Sequence, residues 1–118
     1  MHPNEIIAHA WFKAFNTKDL NGLLALYHEQ AAHFSPKLKL RHPGTNGLIK
    51  GKSALRAWWQ DAFDRLPGLQ YEVVSLTAND ERVFMEYIRH VAGEADLRVG
   101  EVLEIRDGVI VASRVYHG

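Results

Sequence analysis

The chain has 118 residues and contains no cysteine. This absence excludes disulfide bonds, thiolate catalysis and zinc sites built on cysteine, and it agrees with a reducing compartment. An excess of charge of one sign is also lacking, because 14 Lys and Arg residues balance 14 Asp and Glu residues. No net field favours nucleic acid or an anionic membrane surface, so we expect neither as a partner.

Long apolar runs are missing as well. No segment approaches the roughly 18 consecutive apolar residues of a membrane-spanning helix. The first residues also lack the charged start and apolar run of a secretion signal. We therefore expect a soluble cytoplasmic protein. Hydrophobic residues make up 47% and charged residues 24% of the chain, which is typical of one globular domain, and we assign residues 1–118 to it.

The N-terminal half has the periodicity of helices. Apolar residues recur at steps of three and four after Pro3, which is a favourable residue for starting a helix. A second helix is predicted from Asp19, a good N-cap, through Tyr27. A third is predicted over about 53–66. Trp58 and Trp59 are adjacent in it, so one should line the interior and the other should pack at its rim or on a partner subunit.

Between these helices the pattern is less regular. A short strand is predicted over 31–35. Residues 37–51 contain three glycines and are predicted to form a long connection, with or without a short strand at 38–40. Long loops of this kind often lie over pockets.

From residue 69 onwards the pattern changes to strands. Four are predicted at about 69–77, 82–92, 95–106 and 109–116, separated by turn residues. They should form an antiparallel meander. Helices followed by strands indicate an α+β fold, in which a strongly curved, mostly antiparallel sheet wraps around helices on its concave face. Such a cone leaves a mouth that can admit a small molecule.

Glu101 interrupts the apolar side of the predicted strand 95–106. Alternate residues of a strand share a face, so Glu101 should point inward with Val99 and Leu103. An unpaired buried carboxylate stays protonated or finds a partner, and either state suits proton transfer in a dry pocket. A bulge at Gly100, or an edge position, would instead turn Glu101 towards water.

Other polar and aromatic side chains are placed to reach the same interior. His33 and Ser35 share one face of the strand 31–35, and Ser113 and His117 share one face of the last strand. The predicted site has Glu101 and His33 as catalytic residues. Its predicted wall consists of Trp11, Tyr27, Ser35, Trp58, Tyr87, Ser113 and His117.

Four segments resemble the SnoaL-like branch of the nuclear-transport-factor-2-like superfamily: WFKAFNTKDL (11–20), LALYHEQAAHFSP (24–36), GKSALRAWW (51–59) and EVLEIRDGVIVASRVYHG (101–118). The resemblance implies a cystatin-like α+β cone that commonly dimerises. The superfamily includes ketosteroid isomerases, polyketide cyclases and binding proteins without catalysis.

The resemblance to ketosteroid isomerases carries over only in part. Those enzymes place a tyrosine on the first helix where this chain has Trp11, and a base aspartate where it has Ser35. Their second aspartate falls approximately at Glu101. Steroid isomerisation is therefore not implied. SnoaL-like cyclases use a pocket carboxylate for proton transfer, and Glu101 resembles that group in position.

Two functions agree with these features. In the first, Glu101 is the general acid and base of a cofactor-free isomerase, cyclase or lyase that acts on a small apolar molecule. His33 and Ser35 would hold a substrate oxygen, and burial would raise the Glu101 pKa towards neutrality. In the second, the domain only binds a ligand or dimerises. Glu101 would then pair with Arg89 or Arg114, which would lower its pKa.

We also expect a homodimer that forms through the outer face of the sheet, because both sheet faces are rich in apolar residues such as Val102, Ile110 and Tyr116. If the role were purely structural, Trp58, Phe63 and Met85 would fill the cone.

Two other motifs point to no site. The segment 47–53 is one residue short of a phosphate-binding loop and follows no buried parallel strand. The seven histidines include no pair with HxxxH or HExxH spacing, so we expect no metal.

Overall fold

The computed structural model describes residues 1–117, which form four α-helices and six strands. The helices are α1 (Pro3–Asn16), α2 (Leu20–Ala25), α3 (Pro36–Arg41) and α4 (Lys52–Arg65), with a short 3-10 turn at Pro43–Thr45. The strands are β1 (Tyr27–Phe34), β2 (Leu48–Lys50), β3 (Gln70–Ala78), β4 (Arg82–His90), β5 (Leu97–Arg106) and β6 (Val109–His117). No helix in this part of the chain is long and apolar enough to span a membrane.

The predicted helix starts are confirmed, but the second helix is shorter than predicted. Pro3 occupies the first turn of α1, and the Asp19 carboxylate accepts a hydrogen bond from the Gly22 backbone N–H at the start of α2. The prediction that α2 reaches Tyr27 is wrong, because α2 ends at Ala25 and Tyr27 opens β1. Tyr27 is buried by its position in the sheet, which a helical period does not reveal.

The segment 37–51 contains more structure than predicted, and residues 38–40 are helical rather than extended. The Ser35 hydroxyl accepts a hydrogen bond from the Lys37 backbone N–H, and Pro36 takes the first helical position of α3. Leu38 is buried and ties this short helix to the molecule. A serine followed by proline was therefore the start signal of a helix.

The sheet is mixed, with the strand order β2-β1-β6-β5-β4-β3. β1 runs parallel to β6, and every other neighbouring pair is antiparallel. The predicted meander of the last four strands is confirmed. α1 and α4 pack against one face of the sheet and share a continuous apolar core with it. The predicted α+β cone is confirmed.

Two local features of β5 and β6 decide which side chains face inward. At Gly100 the register is regular, with Glu86 on one side and Tyr116 on the other, so no bulge turns Glu101 outward. The register shifts further along, because Glu104 pairs with Ala112 and Ile105 pairs with Ile110. The extra residue reverses the alternation, and Ile110 is buried in the core, so it supplies no apolar surface for a dimer.

Candidate functional site

A cavity of about 280 Å³ lies between the helices and the sheet. Phe63 and Met85 are buried, yet they do not fill the cone. Seven of the nine predicted site residues line the cavity: Trp11, His33, Ser35, Trp58, Tyr87, Glu101 and His117. The other two, Tyr27 and Ser113, are buried behind its wall.

Glu101 is 1% exposed and is surrounded by apolar neighbours. Val99 and Leu103 precede and follow it on the inner face of β5, and Met85 and Val115 are its partners on the adjacent strands. All four are buried hydrophobic residues. The carboxyl group therefore lies in a medium that disfavours its charge.

The only hydrogen bond to the Glu101 side chain within residues 1–117 comes from Tyr87, whose hydroxyl donates to Oε1 at 2.7 Å. Oε2 is buried and has no hydrogen-bond partner. Burial raises the pKa of Glu101 to about 8, although the bond from Tyr87 acts in the opposite direction. At neutral pH the group is mostly a neutral carboxylic acid, and a small rise in pH converts it to a carboxylate.

Neither arginine proposed as a partner reaches Glu101. Arg89 pairs with Glu94 at 2.9 Å, and Arg114 pairs with Glu104 at 2.9 Å on the outer side of the sheet. The expectation of a buried ion pair at Glu101 is wrong, because Arg89 pairs with Glu94 at the cavity mouth and Arg114 pairs with Glu104 on the outer face. The lowered pKa that such a pair would give is absent as well.

His33 is held by a chain of hydrogen bonds behind the cavity wall. The Trp11 indole N–H donates to the Tyr27 hydroxyl at 3.1 Å, and that hydroxyl donates to Ser113 Oγ at 3.1 Å. Ser113 Oγ lies 2.6 Å from His33 Nδ1. The chain joins α1, β1 and β6 through side chains that are almost completely buried.

The direction of this chain assigns the proton of His33. An indole can only donate, so the Tyr27 proton is directed at Ser113, and the Ser113 proton is left for His33 Nδ1. Nδ1 is then an acceptor, and the imidazole proton is on Nε2. This nitrogen has no partner within residues 1–117 and is not fully enclosed, so its N–H is available to the cavity. Burial lowers the pKa of His33 to about 4, so the ring is neutral at pH 7.

Ser35 and the two tryptophans shape the remaining wall. Ser35 Oγ accepts from the Lys37 N–H as the cap of α3, which leaves its own proton free to donate. Trp59 is buried and its ring centre lies 5.2 Å from that of His33. Trp58 is half-buried at the edge of the cavity. The prediction that one tryptophan lines the interior and the other its rim is confirmed.

Four cations that line the cavity are not among the predicted site residues, and one of them, Arg41, pairs with Asp61 at 3.5 Å. We call Lys37, Arg65 and Arg89 the cationic rim, and they stand around one carboxylate, Glu94. Arg89 follows Met85 and Tyr87 in the inward alternation of β4, so its position was readable from the strand pattern. Lys37 was missed because α3 was not predicted.

His90 lies outside the cavity. It is partly exposed, with Nε2 at 2.8 Å from Glu72 and Nδ1 at 2.9 Å from Asp96. The pKa of His90 is raised mainly by the hydrogen bond to Glu72 and also by the one to Asp96.

Comparisons with known proteins support the same fold. A family model described as SnoaL-like domain matches residues 8–113. A SnoaL-like protein of unknown function from Burkholderia thailandensis is 23% identical over 98% of this chain and 95% of its own, with a TM-score of 0.86. An NTF2-like protein of unknown function from Burkholderia pseudomallei is 20% identical over 100% of this chain and 92% of its own, with a TM-score of 0.85.

A third solved structure, TerC co-crystallised with polyporic acid, is 20% identical over 99% of this chain and 92% of its own, with a TM-score of 0.84. None of the curated proteins matches the sequence. At these identities the structural similarity shows the fold alone.

Proposed function

Because the chain belongs to the SnoaL-like domain family, whose model covers residues 8–113, we propose that its cavity binds a small, mainly apolar molecule and that Glu101 transfers a proton to or from it. The observation that carries this proposal is the buried carboxyl of Glu101, which lines the cavity without a counterion and has a pKa raised to about 8. Groups with pKa values near the working pH are the most effective proton carriers.

The proposed reaction is an enolisation followed by return of the proton. The carboxylate form of Glu101 removes a proton from a carbon next to a carbonyl, and the electrons of that C–H bond move to give an enolate. Glu101 is then a neutral acid and returns the proton to a different carbon, so that the substrate is isomerised. No cofactor is needed, since the proton leaves and re-enters the same molecule.

Two further residues support this chemistry. Burial lowers the pKa of His33 to about 4, so the ring is neutral at pH 7 and would donate its Nε2–H to the enolate oxygen. A neutral imidazole is a very weak acid, so the N–H would stay on the ring throughout. Tyr87 would hold the Glu101 carboxyl in place through its bond to Oε1. The TerC structure, obtained with polyporic acid, supports a ligand-binding role for a cone of this shape.

The proposal is tested by hydrogen exchange on a panel of cyclic and aromatic ketones in D2O, followed by proton NMR. The wild type is expected to exchange the protons next to one carbonyl, with a rate that rises to a plateau above about pH 8, because the carboxylate is the active form. Glu101→Gln is expected to lower this rate by about 10²-fold or more.

The matched control is Glu81→Gln, since the Glu81 side chain is exposed outside the cavity. It should leave the rate unchanged. Exchange by Glu101→Gln at the wild-type rate would remove proton transfer from the proposal and leave only ligand binding.

We also propose that the domain forms a homodimer through the outer face of the sheet. Phe84 and Tyr116 are 46% and 51% exposed on this face, and the Phe84 ring lies over Gly100. Ion pairs border the apolar patch, with Glu86 bound to Arg98 at 2.9 Å. A face that carries both charges in pairs does not repel a second copy of itself.

A further inference from the structure

The mouth of the cavity carries more positive charge than its carboxylates balance. Glu94 is the one carboxylate that lines the mouth beside the cationic rim of Lys37, Arg65 and Arg89. The pKa of Glu94 is lowered first by its hydrogen bond from Arg89, with Lys37 and Arg65 contributing as neighbouring charges. Asp61, outside the cavity, binds Arg65 at 2.8 Å.

Arg89 is the best placed of these cations to bind a ligand. Its side chain is 9% exposed, and one terminal nitrogen pairs with Glu94 at 2.9 Å. The other two nitrogens have no hydrogen-bond partner within residues 1–117 and are not fully enclosed, and Arg89 lines the cavity. A guanidinium with two adjacent free N–H groups matches the two oxygens of a carboxylate.

Lys37 is the second cation that could bind a ligand, and unlike Arg89 it has no ion-pair partner among the described residues. Lys37 is a half-buried residue that lines the cavity. The pKa of Lys37 is lowered mainly by burial, and the positive charge of Arg89 lowers it further. A partly desolvated ammonium beside an arginine is stabilised by any anion that enters the space between them.

We propose that the cationic rim binds a carboxylate of the molecule whose other end reaches Glu101, so that the ligand class is small cyclic or aromatic acids. This assignment rests on the proposed function, because it takes Glu101 as the reacting end. Arg89 is four residues along β4 from Met85, the partner of Glu101, which is about 13 Å of strand. The two side chains span part of this distance, which leaves room for about two fused rings between the polar groups.

The preference for an anion is measured by isothermal titration calorimetry with two probes of the same shape. Naphthalene-2-carboxylate carries the charge, and naphthalene-2-carboxamide is neutral. The wild type is expected to bind the carboxylate at least about tenfold more tightly at low ionic strength, since hydrogen bonds to charged groups contribute more than neutral ones. Added salt should reduce this preference.

Arg89→Gln is expected to weaken carboxylate binding much more than carboxamide binding, so that the preference disappears. Lys37→Gln, which keeps the pair of Arg89 and Glu94, should reduce the preference about threefold, and it serves as the test if Arg89→Gln fails to fold. Arg56→Gln is the matched control, because Arg56 is an exposed arginine of α4 outside the cavity. It should bind both probes as the wild type does.

Equal affinity of the wild type for the two probes would overturn the assignment. So would an equal loss of both affinities in Arg89→Gln, which would mean that Arg89 only supports the fold. If the wild type bound neither probe at millimolar concentration, the ligand-binding cavity of the proposed function would fail together with the assignment. If a ketone exchanged its protons at Glu101 while the two probes bound equally, the anion-binding assignment would be rejected and the proposed function would be kept.

Discussion

Glu101 and His33 show how burial alone prepares two side chains for opposite roles. Each is almost completely buried and each is neutral at pH 7, because a low-dielectric surrounding disfavours charge of either sign. Burial raises the pKa of Glu101 to about 8 and lowers the pKa of His33 to about 4. One residue thus holds a proton that it can give up, and the other holds an N–H that it keeps.

The first prediction concerns Glu101 and the pH dependence of stability. Between pH 6.5 and 8 the native protein keeps a proton on Glu101 that the unfolded chain has released, because its native pKa of about 8 is above the ordinary value of 4.5. The free energy of unfolding therefore falls as the pH rises, by about 1.4 kcal/mol per unit. Urea denaturation of Glu101→Gln should lack this fall, so the two proteins should differ by roughly 2 kcal/mol over the interval.

The comparison with Glu101→Gln separates the effect of Glu101 on stability from the effects of the histidines. His33 is neutral in the native state and takes up a proton in the unfolded chain below pH 6.5, so its effect is a loss of stability as the pH falls towards 4. Hydrogen bonds to Glu72 and Asp96 raise the pKa of His90, so its stabilising effect is lost as the pH rises, equally in both proteins. Parallel pH profiles of the wild type and Glu101→Gln would show that Glu101 is ionised in the native state.

At the scale of elements, the segment between β1 and β2 positions the cavity mouth. α3 begins directly after β1 and carries Lys37, and the chain returns through a turn in which the Gly47 carbonyl accepts a hydrogen bond from the Ser35 N–H at 3.0 Å. Gly47 has a φ of +86°, and a Cβ at this position would lie 2.7 Å from the Phe34 ring. The turn therefore requires a glycine for both conformation and space.

The second prediction is that Gly47→Ala destabilises the protein by roughly 1–3 kcal/mol, because it combines a left-handed backbone with a close contact to the Phe34 ring. Gly44→Ala is the control in the same segment, since a Cβ there meets no atom within 4 Å and the φ is not positive. It should change the stability by less than about 0.5 kcal/mol. Thermal unfolding measures both, and similar losses in the two variants would contradict the role of Gly47.

At the scale of the whole molecule, the sheet has one face on the core and one face on solvent. The inner face carries Glu101 and the aromatic wall, and the outer face carries the apolar patch over Gly100. The cavity opens away from this patch, because its wall is formed by helices and by inward side chains. Association through the outer face would therefore leave the cavity mouth open to its ligand.

The third prediction follows from the homodimer proposal. Analytical ultracentrifugation at micromolar concentration should give twice the monomer mass of 13.4 kDa for the wild type. Phe84→Glu should give the monomer mass, because a charge would have to be buried in the apolar patch. Ile6→Glu changes an exposed residue of α1 and should remain dimeric. A monomeric wild type would rule out the dimer.

Much of the candidate site could be predicted because strand alternation is a local property. Glu101 shares a face with Val99 and Leu103 in any regular strand, and the bulge that Gly100 would have allowed does not form. The same period placed Tyr87 inward and could have placed Arg89 there. The helix starts at Pro3 and Asp19 could also be predicted from local sequence, since a first-turn proline and a capping aspartate each act on the adjacent turn of backbone.

The pairing of side chains from distant parts of the chain was decided only by the tertiary structure. Ser113 meets His33 because β1 lies parallel to β6, although 80 residues separate them in sequence. The bulge in β6 turned Ile110 into the core, and the same bulge keeps Ser113 inward. The sequence by itself determined that an acid points into an apolar cone. The order of the strands, the bulge in β6 and the unpredicted α3 decided which groups meet it, because such contacts depend on chain segments that no local pattern connects.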